Sequence, residues 1–300
     1  MSQNNIKHGI ILKSLAGFYE VEDGVSRKVY TCRGRGLFRK SGFILLVGDR
    51  VEFDVNKDGS GYIKKVQTRL NELVRPPIAN VGLALVVFSA KEPNFNVKFL
   101  DRLLAVIEVK RVEPIIVISK MDLLSKKEYV DLSVILDYYR EIGYKVLEIS
   151  TYKKEGLADV AKLFDDEIVV ICGQSGVGKS SLLNGIDQEL NIEVNEISKA
   201  LGRGKHTTRH VELHKIAGGL VADTPGFSAL DLDQLEKEDL REAFIEFVTR
   251  QDDCKFRGCM HLNEPKCAIK DGVNSGHILE SRYENYMQLL NEITSRKVRY

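Results

Sequence analysis

A glycine-rich loop in the middle of the chain reads Gly173-Gln174-Ser175-Gly176-Val177-Gly178-Lys179-Ser180 and matches G-x-x-x-x-G-K-[ST] at every fixed position. It follows an apolar run, Ile168–Cys172, that predicts a strand, and it precedes a predicted helix at about 179–188. Glycines suit such a loop because backbone N–H groups must turn inward around phosphate oxygens, and a Cβ atom would obstruct that approach. In this strand–loop–helix context, the pattern predicts a nucleotide phosphate site rather than a chance glycine-rich turn.

The residues at the end of this loop have predicted roles on the phosphates. We expect Lys179 to reach the β- and γ-phosphates, Ser180 to ligate Mg²⁺, and Ser181 to belong to the nucleotide-binding residues. Downstream, Asp223-Thr224-Pro225-Gly226 begins at the end of another predicted strand. Asp223 is predicted to hold Mg²⁺ through water, and the N–H of Gly226 to touch the γ-phosphate.

A second motif, Ser119-Lys120-Met121-Asp122, follows the apolar run that ends at Ile118 and resembles the guanine-reading N-K-x-D box. Asp122 is predicted to accept hydrogen bonds from the guanine N1–H and N2–H₂ groups, and Lys120 to lay its alkyl stem along the base. Ser119 replaces the usual Asn, and its shorter hydroxyl is expected to read the O6/N7 side of guanine less tightly. Ser150 ends the next predicted strand, where a base-contacting loop is expected.

The order of these motifs is unusual, because the base box lies more than fifty residues before the phosphate loop. Conventional GTPases run phosphate loop, switch loops, base box. A doubly wound sheet tolerates the altered order, since loops at the strand ends assemble the site whatever their order in the chain. The order therefore indicates a circularly permuted GTPase.

The catalytic group is predicted upstream of the Asp-Thr-Pro-Gly motif. Phe227 occupies the place where many GTPases carry a water-orienting Gln, and a phenyl ring cannot orient water. The stretch 202–209 offers His206 to position water and Thr208 to coordinate Mg²⁺. The alternative is that His206 only contacts phosphate or RNA.

A cluster of soft ligands near the C-terminus predicts one structural Zn²⁺ site. Three thiols and one imidazole, the usual set for a closed tetrahedral shell, fall within fourteen residues: Cys254, Cys259, His261 and Cys267. The alternative is buried free cysteines with an incidental histidine. Cys32 and Cys172 are isolated and are expected in the core.

The pattern of elements predicts a multidomain α/β protein with an all-β N-terminal part. Residues 1–72 contain short alternating segments between turn signals, typical of a small antiparallel barrel or sandwich; a barrel of the OB type is favoured because it often binds nucleic acid. Residues 78–230 alternate apolar strands with amphipathic helices, which predicts a parallel sheet covered on both faces and forming the permuted P-loop domain. Residues 231–300 are predicted to form a helical zinc-binding domain. Arg75-Pro76-Pro77 is interpreted as a stiff linker.

Composition narrows the compartment and the partners. The chain has 300 residues, 43% hydrophobic and 29% charged, with a net charge of +1. Residues 1–80 carry 14 Lys/Arg against 8 Asp/Glu, so nucleic acid is a plausible partner there. Stretch 27–50 interleaves basic residues with Tyr30, Phe38 and Phe43, as expected for an RNA surface or for a solvated basic face over core aromatics. No apolar leader or membrane span is evident, which favours the cytoplasm, and a monomer is the default.

Taken together, the ordered motifs closely resemble the bacterial small-ribosomal-subunit-dependent GTPase A family: S-K-M-D, G-Q-S-G-V-G-K-S, G-R-G-K-H-T-T-R-H, D-T-P-G-F and C-K-F-R-G-C-M-H-L-N-E-P-K-C-A. The resemblance covers nearly the whole chain and implies an OB-like barrel, a permuted GTPase domain and a zinc domain. It implies hydrolysis of GTP to GDP, stimulated by the 30S subunit, in late maturation of that subunit, with 16S rRNA as a partner. Ser119 is the notable departure from the family pattern.

Two other function classes remain open at this point. A non-catalytic, nucleotide-gated RNA-binding assembly chaperone is kept by Phe227 in place of Gln, and multiple-turnover phosphate release excludes it. A P-loop ATPase or kinase is disfavoured by Asp122 and requires ATP to outcompete GTP.

Overall fold

The computed structural model describes residues 6–74, 76–187, 211–223 and 235–296. The chain divides into two compact units, each built from segments far apart in sequence. The first comprises Met1–Leu83, Ala158–Ile171 and Ser180–Phe227; the second comprises Ala84–Leu157, Cys172–Lys179 and Ser228–Tyr300. The predicted positions His206, Thr208 and Gly226 lie outside the described residues.

The regular elements of the described residues are numbered in chain order. The strands are β1 (Lys7–Leu15), β2 (Phe18–Asp23), β3 (Val29–Gly34), β4 (Arg50–Val55), β5 (Gly61–Val66), β6 (Glu72–Val74), β7 (Pro77–Ala79), β8 (Leu83–Ser89), β9 (Glu113–Ser119), β10 (Lys145–Glu148), β11 (Ile168–Cys172), β12 (Glu212–Ile216) and β13 (Gly219–Asp223). The α-helices are α1 (Gly36–Ser41), α2 (Val97–Val109), α3 (Lys126–Glu141), α4 (Leu157–Ala161), α5 (Lys179–Ile186), α6 (Lys237–Glu242), α7 (Ile245–Val248), α8 (Ala268–Asn274) and α9 (Glu280–Thr294). Among these helices, none has the length and apolarity needed to cross a membrane.

The N-terminal part of the first unit is a closed five-stranded barrel. Its strands follow the order β1-β2-β3-β5-β4, and β1 pairs a second time with β4, which closes the sheet. β3 and β5 are parallel, whereas the other neighbours are antiparallel. This arrangement confirms the predicted OB-like barrel.

Alternation along the barrel strands places one apolar row inside. Six inward side chains are fully buried: Ile11, Val21, Cys32, Val51, Phe53 and Ile63. The strands approach most closely at Gly9, where a Cβ atom would lie 2.2 Å from the carbonyl oxygen of Glu22. Only glycine fits there, and its position is one reason why β1 can curve to meet both of its barrel neighbours.

The predicted stiff linker at 75–77 is wrong. β6 and β7 form an antiparallel hairpin in which Val74 lies opposite Pro77, so Pro77 begins a strand. The hairpin is anchored rather than free, because the Asn80 side chain donates to Gly48 O at 2.9 Å and accepts from Leu70 N at 2.9 Å. Proline is compatible with this two-stranded sheet because it can occupy the first residue of a strand.

The rest of the first unit's sheet is mixed. β11 and β13 are parallel, as predicted, but β12 is antiparallel to β13 and to β1. The reversal occurs at Ala217 and Gly218, both with positive φ, which form a tight hairpin that a crossover helix cannot replace. Cys172 at the end of β11 is fully buried, as is Cys32, so both belong to the core as expected.

The second unit combines three strands with helices from the middle and from the C-terminal part of the chain. Its strands lie in the order β10-β9-β8, and β9 and β10 are parallel. Helix α2 packs on β9, α3 packs on β10, and α6 and α9 pack on α2. α3 begins with a capping box in which Ser125 and Glu128 satisfy each other's backbone N–H groups.

A buried arginine joins the C-terminal helices to α2. Arg282 on α9 is 1% exposed and donates to Asp101 Oδ1 at 2.6 Å and to Glu246 Oε1 at 2.8 Å. Its guanidinium carbon lies 4.2 Å from the ring centre of Phe244. A charge this deeply buried is tolerated only because it is paired and hydrogen-bonded on several sides.

Candidate nucleotide site and metal centre

The glycine-rich loop has the backbone that a phosphate cradle requires. It runs from the end of β11 to the start of α5, and Gly173, Gly176 and Gly178 have φ values of 141°, 83° and 92°. A Cβ atom at Gly173 would lie 2.1 Å from the carbonyl oxygen of Val87. Gly173 therefore meets a steric need, and the positive φ values of all three glycines are those that turn backbone N–H groups into an anion-binding cradle.

Lys179 caps this loop from within. Its Nζ donates to Gly173 O at 2.8 Å and to Gln174 O at 2.7 Å. Desolvation at this half-buried position lowers the pKa of Lys179 below its usual value. The ammonium is held among carbonyl oxygens that phosphate oxygens are well suited to replace. Of the neighbouring predicted residues, Ser175 and Gly176 are exposed, while Ser180 and Ser181 belong to the first turn of α5.

The base box reaches the phosphate loop through Ser119. This residue ends β9, is 1% exposed, and its Oγ donates to Val177 O at 2.5 Å and to Phe88 O at 3.1 Å. Two motifs that are separated in the chain therefore meet within the second unit. The hydroxyl that was predicted to face guanine O6/N7 is engaged with backbone carbonyls.

The acid of the base box is oriented by the next strand along. Asp122 Oδ1 accepts a hydrogen bond from Ser150 Oγ at 2.6 Å, and Ser150 is itself 1% exposed. The N–H of Met121 donates to Ile149 O at 3.3 Å. These contacts fix Asp122 as a carboxylate acceptor at the carboxyl ends of two parallel strands, the usual place for a ligand in such a sheet.

A turn that sequence reasoning did not single out holds the lysine of the box. Lys120 has a φ of 57°, and its Nζ donates to the carbonyl oxygen of Glu92, in the turn after β8. Ser89 Oγ donates to Pro93 O at 2.6 Å within this turn, and Lys91 pairs with Glu128 at 2.8 Å. Its position at the carboxyl end of an apolar strand was the available signal, because ligand-binding loops gather at that edge.

Of the residues predicted to lie near Mg²⁺, Ser180 and the backbone of Asp223 belong to the described part of the chain. Asp223 is the last residue of β13, as predicted, and its side chain lies outside the description. Thr208, His206 and Gly226 also lie outside the described residues.

The four predicted zinc ligands come together. One ligand atom from each of Cys254, Cys259, His261 and Cys267 lies within 4.8 Å of all the others. The Nδ1 atom of His261 is 3.4 Å from Cys267 Sγ and 3.7 Å from Cys254 Sγ. Ligand atoms of a tetrahedral zinc site with Zn–S bonds near 2.3 Å are separated by roughly 3.8 Å, so this donor set fits Zn²⁺.

The cluster is held by its surroundings in a state ready for metal. Burial lowers the pKa of His261 to about 4, so its imidazole is neutral, as a ligand must be. Its backbone, with a φ of 61°, is fixed by Tyr283 Oη, which donates to His261 O at 2.5 Å. Burial also raises the pKa of Cys259 to about 12, so metal capture has to displace a thiol proton.

Comparison with known proteins matches the barrel, and the part of the chain that carries the nucleotide site, to two models of one family. Residues 8–63 match the model of the RsgA N-terminal domain, and residues 66–233 match that of the RsgA GTPase. The chain is 53% identical over 293 residues to "Small ribosomal subunit biogenesis GTPase RsgA" of Geobacillus sp. (strain WCH70), with 97% of this chain and 99% of that protein covered. The protein of the same name from Bacillus subtilis (strain 168) is 49% identical over 295 residues, with the same coverage.

Two solved structures share the fold over nearly the whole chain. One is described as "The crystal structure of YloQ, a circularly permuted GTPase", with a TM-score of 0.86, 43% identity, and coverage of 100% of this chain and 99% of that one. The other is YjeQ from Thermotoga maritima, with a TM-score of 0.86, 34% identity, and coverage of 97% and 100%. With the base box before the phosphate loop and both in contact through Ser119, this chain belongs to the RsgA GTPase family and is a circularly permuted GTPase.

Proposed function

We propose that this GTPase acts in biogenesis of the small (30S) ribosomal subunit, in its late maturation, and that the subunit stimulates its hydrolysis of GTP. The observation that carries the proposal is near-complete coverage by relatives named for small-subunit biogenesis, at 53% and 49% identity. The matched stretch, 97% of the chain, spans the barrel, the phosphate loop and the Cys/His cluster.

The proposed division of labour at the nucleotide follows from the site. The phosphate loop, residues 173–180, cradles the phosphates through its N–H groups, Lys179 neutralises their charge, and Asp122 selects guanine. Ser180, Thr208 and Asp223 are proposed to hold Mg²⁺, which would supply positive charge against the negative charge that develops on the phosphates. His206 is proposed to position the attacking water, because Phe227 cannot.

The barrel offers one proposed surface for 16S rRNA. Its exposed cations include Arg33, Arg35, Lys40 and Arg50, and we name these four the barrel cations. Arg33 stacks over the ring of Phe18 at 4.6 Å, and that ring is 42% exposed. The acid of stretch 27–50, Asp49, is fully buried and paired with Arg69 at 2.7 Å, so it does not offset these charges at the surface. Exposed cations beside exposed aromatic rings suit phosphates and unstacked bases.

The segment that carries the Cys/His cluster, residues 251–267, is named the zinc segment and offers a second proposed RNA surface. Lys255, Phe256 and Arg257 are exposed between the first two cysteine ligands, and Lys255 Nζ lies 5.2 Å from the Phe256 ring centre. One structural Zn²⁺ is proposed to fix the shape of this segment, which is too short to carry its own core.

The remaining proposals concern organisation. We propose three functional domains, residues 1–72, 78–230 and 231–300, in a monomeric cytoplasmic protein. The second family model ends at residue 233, near the proposed boundary at 230, whereas the two models divide between residues 63 and 66, a few residues before the first one.

The test is phosphate release from GTP and from ATP, each with and without purified 30S subunits. We expect GTP-selective turnover that rises at least tenfold with the subunit, which corresponds to about 1.4 kcal/mol of barrier. Lys179→Ala is the inactive control, because it removes the cation from the phosphates. Equal use of ATP would overturn the role of Asp122, and turnover unchanged by 30S would overturn the partner.

A further inference from the structure

The contact between Ser119 and Val177 goes beyond holding two motifs together, because of which atoms it joins. The Ser119 hydroxyl has one hydrogen, and both oxygens near it are backbone carbonyls, Val177 O at 2.5 Å and Phe88 O at 3.1 Å. Its hydrogen is therefore committed to acceptors of the protein. Ser119 is 1% exposed, and Val177 is equally buried.

The acceptor belongs to the peptide unit that forms the phosphate cradle. In a planar trans peptide the C=O and the following N–H point in opposite directions. A hydrogen bond that fixes the Val177 carbonyl toward Ser119 therefore aims the Gly178 N–H the other way, away from the base-box strand. Gly178, which follows this peptide, has a φ of 92°, and without a Cβ atom it imposes little preference of its own on the peptide's orientation.

We propose that Ser119 is a positioning residue that sets the direction of the Gly178 N–H in the phosphate loop, and that it does not read the guanine base. The proposal rests on the nucleotide site proposed above. It separates two tasks in the base box: Asp122, held by Ser150 at 2.6 Å, selects the base, while Ser119 prepares the phosphate cradle.

The packing around Ser119 supports this division. A Cβ atom built on Gly178 would lie 3.7 Å from Ser119 Oγ and 3.9 Å from its Cβ, so the loop covers the serine closely. A hydroxyl this short and enclosed has no second donor to offer to a base. Guanine discrimination is accordingly assigned to the N1–H and N2–H₂ edge, through Asp122.

The experiment measures dissociation constants of GDP, 6-thio-GDP and ADP by calorimetry, for wild type, Ser119→Ala and Ser119→Thr. The matched control is Ser133→Ala, which removes a serine hydroxyl that donates to a backbone carbonyl, Val130 O at 2.9 Å, within α3. We expect Ser119→Ala to weaken GDP and 6-thio-GDP by the same factor, about tenfold, because a positioned donor is lost to both. Ser119→Thr keeps the hydroxyl and is expected to bind within about twofold of wild type, as is the control.

Each outcome decides a separate point. A 6-thio-GDP to GDP ratio that changes in Ser119→Ala would overturn the proposal, since sulfur replaces only the O6 acceptor. Unchanged GDP affinity in Ser119→Ala would overturn it as well. Movement of the Gly178 amide resonance in ¹⁵N-labelled Ser119→Ala, and not in Ser133→Ala, supports it. Failure of the wild-type protein to prefer GDP over ADP would instead contradict the proposed nucleotide site itself.

Discussion

Asp122, the proposed guanine-reading residue, has one carboxylate oxygen that already accepts a hydrogen bond within the protein. Its Oδ1 receives the Ser150 hydroxyl, so the remaining lone pairs of the carboxylate are free to accept from a base. A carboxylate accepts and does not donate, which matches the N1–H and N2–H₂ edge of guanine. Adenine offers no such pair of donors on that edge.

Exchange of this carboxylate for an amide is expected to move the preference from guanine to xanthine. Asp122→Asn retains one acceptor for N1–H and gains a donor, which suits the C2 carbonyl of xanthine. We expect GDP affinity to fall by about 100-fold, from the loss of a charge-assisted hydrogen bond, and XDP affinity to rise. Competition calorimetry with both nucleotides measures the exchange.

The control for this exchange is Asp137→Asn, an exposed acid on α3 paired with Arg140. It is expected to leave both affinities unchanged. A variant at Asp122 that weakens GDP without gaining XDP would show that Asp122 supports the fold and does not read the base.

Among the elements, the zinc segment is the one proposed to depend on a metal for its shape. Cys259 and Cys267 are buried at 4% and 2% exposure, and the 251–267 segment contributes few other apolar groups to a core. We expect one Zn²⁺ per wild-type chain by elemental analysis and its loss in Cys259→Ser, with faster proteolysis near residues 254–267. Chelation of the wild-type protein is expected to give the same proteolytic pattern.

Cys32→Ser provides the matched cysteine control, since Cys32 is fully buried in the barrel and outside the cluster. It is expected to destabilise the barrel and to retain full zinc. Zinc retention by Cys259→Ser would remove Cys259 from the ligand set, and absence of zinc from the wild-type protein would favour the alternative of buried free thiols.

The joint between α2 and α9 rests on buried charge, and its strength is testable. Arg282→Met leaves Asp101 and Glu246 without their cation in a buried site, so we expect the free energy of unfolding to fall by about 3–5 kcal/mol. Arg102→Met is the control, because Arg102 joins the same two helices through Glu292 at 2.6 Å. That pair is partly exposed, at 30% and 48%, and its loss is expected to cost less than about 1 kcal/mol.

Urea unfolding monitored by circular dichroism compares the two variants. Equal destabilisation by both substitutions would mean that burial of the Arg282 cluster adds nothing to the joint.

Features of single elements could be predicted from the sequence where their cause lies in residues that are close in the chain. The phosphate loop was predictable because its glycines are required by the backbone of the loop itself, and the Cys/His cluster because its ligands are close in the chain. Arg282 was not, since a basic residue on an amphipathic helix normally faces solvent, and its partners lie 36 and 181 residues away. The β6–β7 hairpin was missed for a similar reason, because Asn80 and Gly48 anchor it through tertiary contacts that Arg75-Pro76-Pro77 does not reveal.

At the scale of the whole molecule, the barrel cations predict how association with the 30S subunit responds to salt. Each cation that neutralises an RNA phosphate releases counterions, so binding weakens as salt rises. We expect Arg33→Ala/Lys40→Ala to weaken 30S binding at moderate salt. The slope of the logarithm of the binding constant against the logarithm of salt concentration is expected to become shallower by about one to two. Sedimentation with 30S subunits over a salt series measures both effects.

Two exposed lysines outside the barrel supply the charge-matched control. Lys126→Ala/Lys127→Ala removes the same net charge from α3, outside the barrel. Equal weakening by the two double variants would indicate net charge, rather than the barrel surface, as the cause.

The permuted order of the motifs could be predicted from the sequence, whereas the hydrogen bond that joins the two motifs could not. Spacing places the base box and phosphate loop in the wrong order for a conventional GTPase, and strand-end logic predicts that they meet. The contact between them is the Ser119–Val177 hydrogen bond, whose partners are 58 residues apart and of residue types with no pairing signal.

The barrel is also a mechanical part of the nucleotide-binding sheet. Lys13 lies opposite Glu212, and Glu212 lies opposite Asp223, so one rung of neighbouring backbones runs from the barrel strand β1 through β12 to the last residue of β13. Backbone pairing therefore connects the barrel, through β12, to the strand that ends at Asp223. Removal of the barrel would remove this connection and expose the edge of β12 to other strands. We therefore expect the truncated chain to aggregate rather than to remain folded as a minimal GTPase.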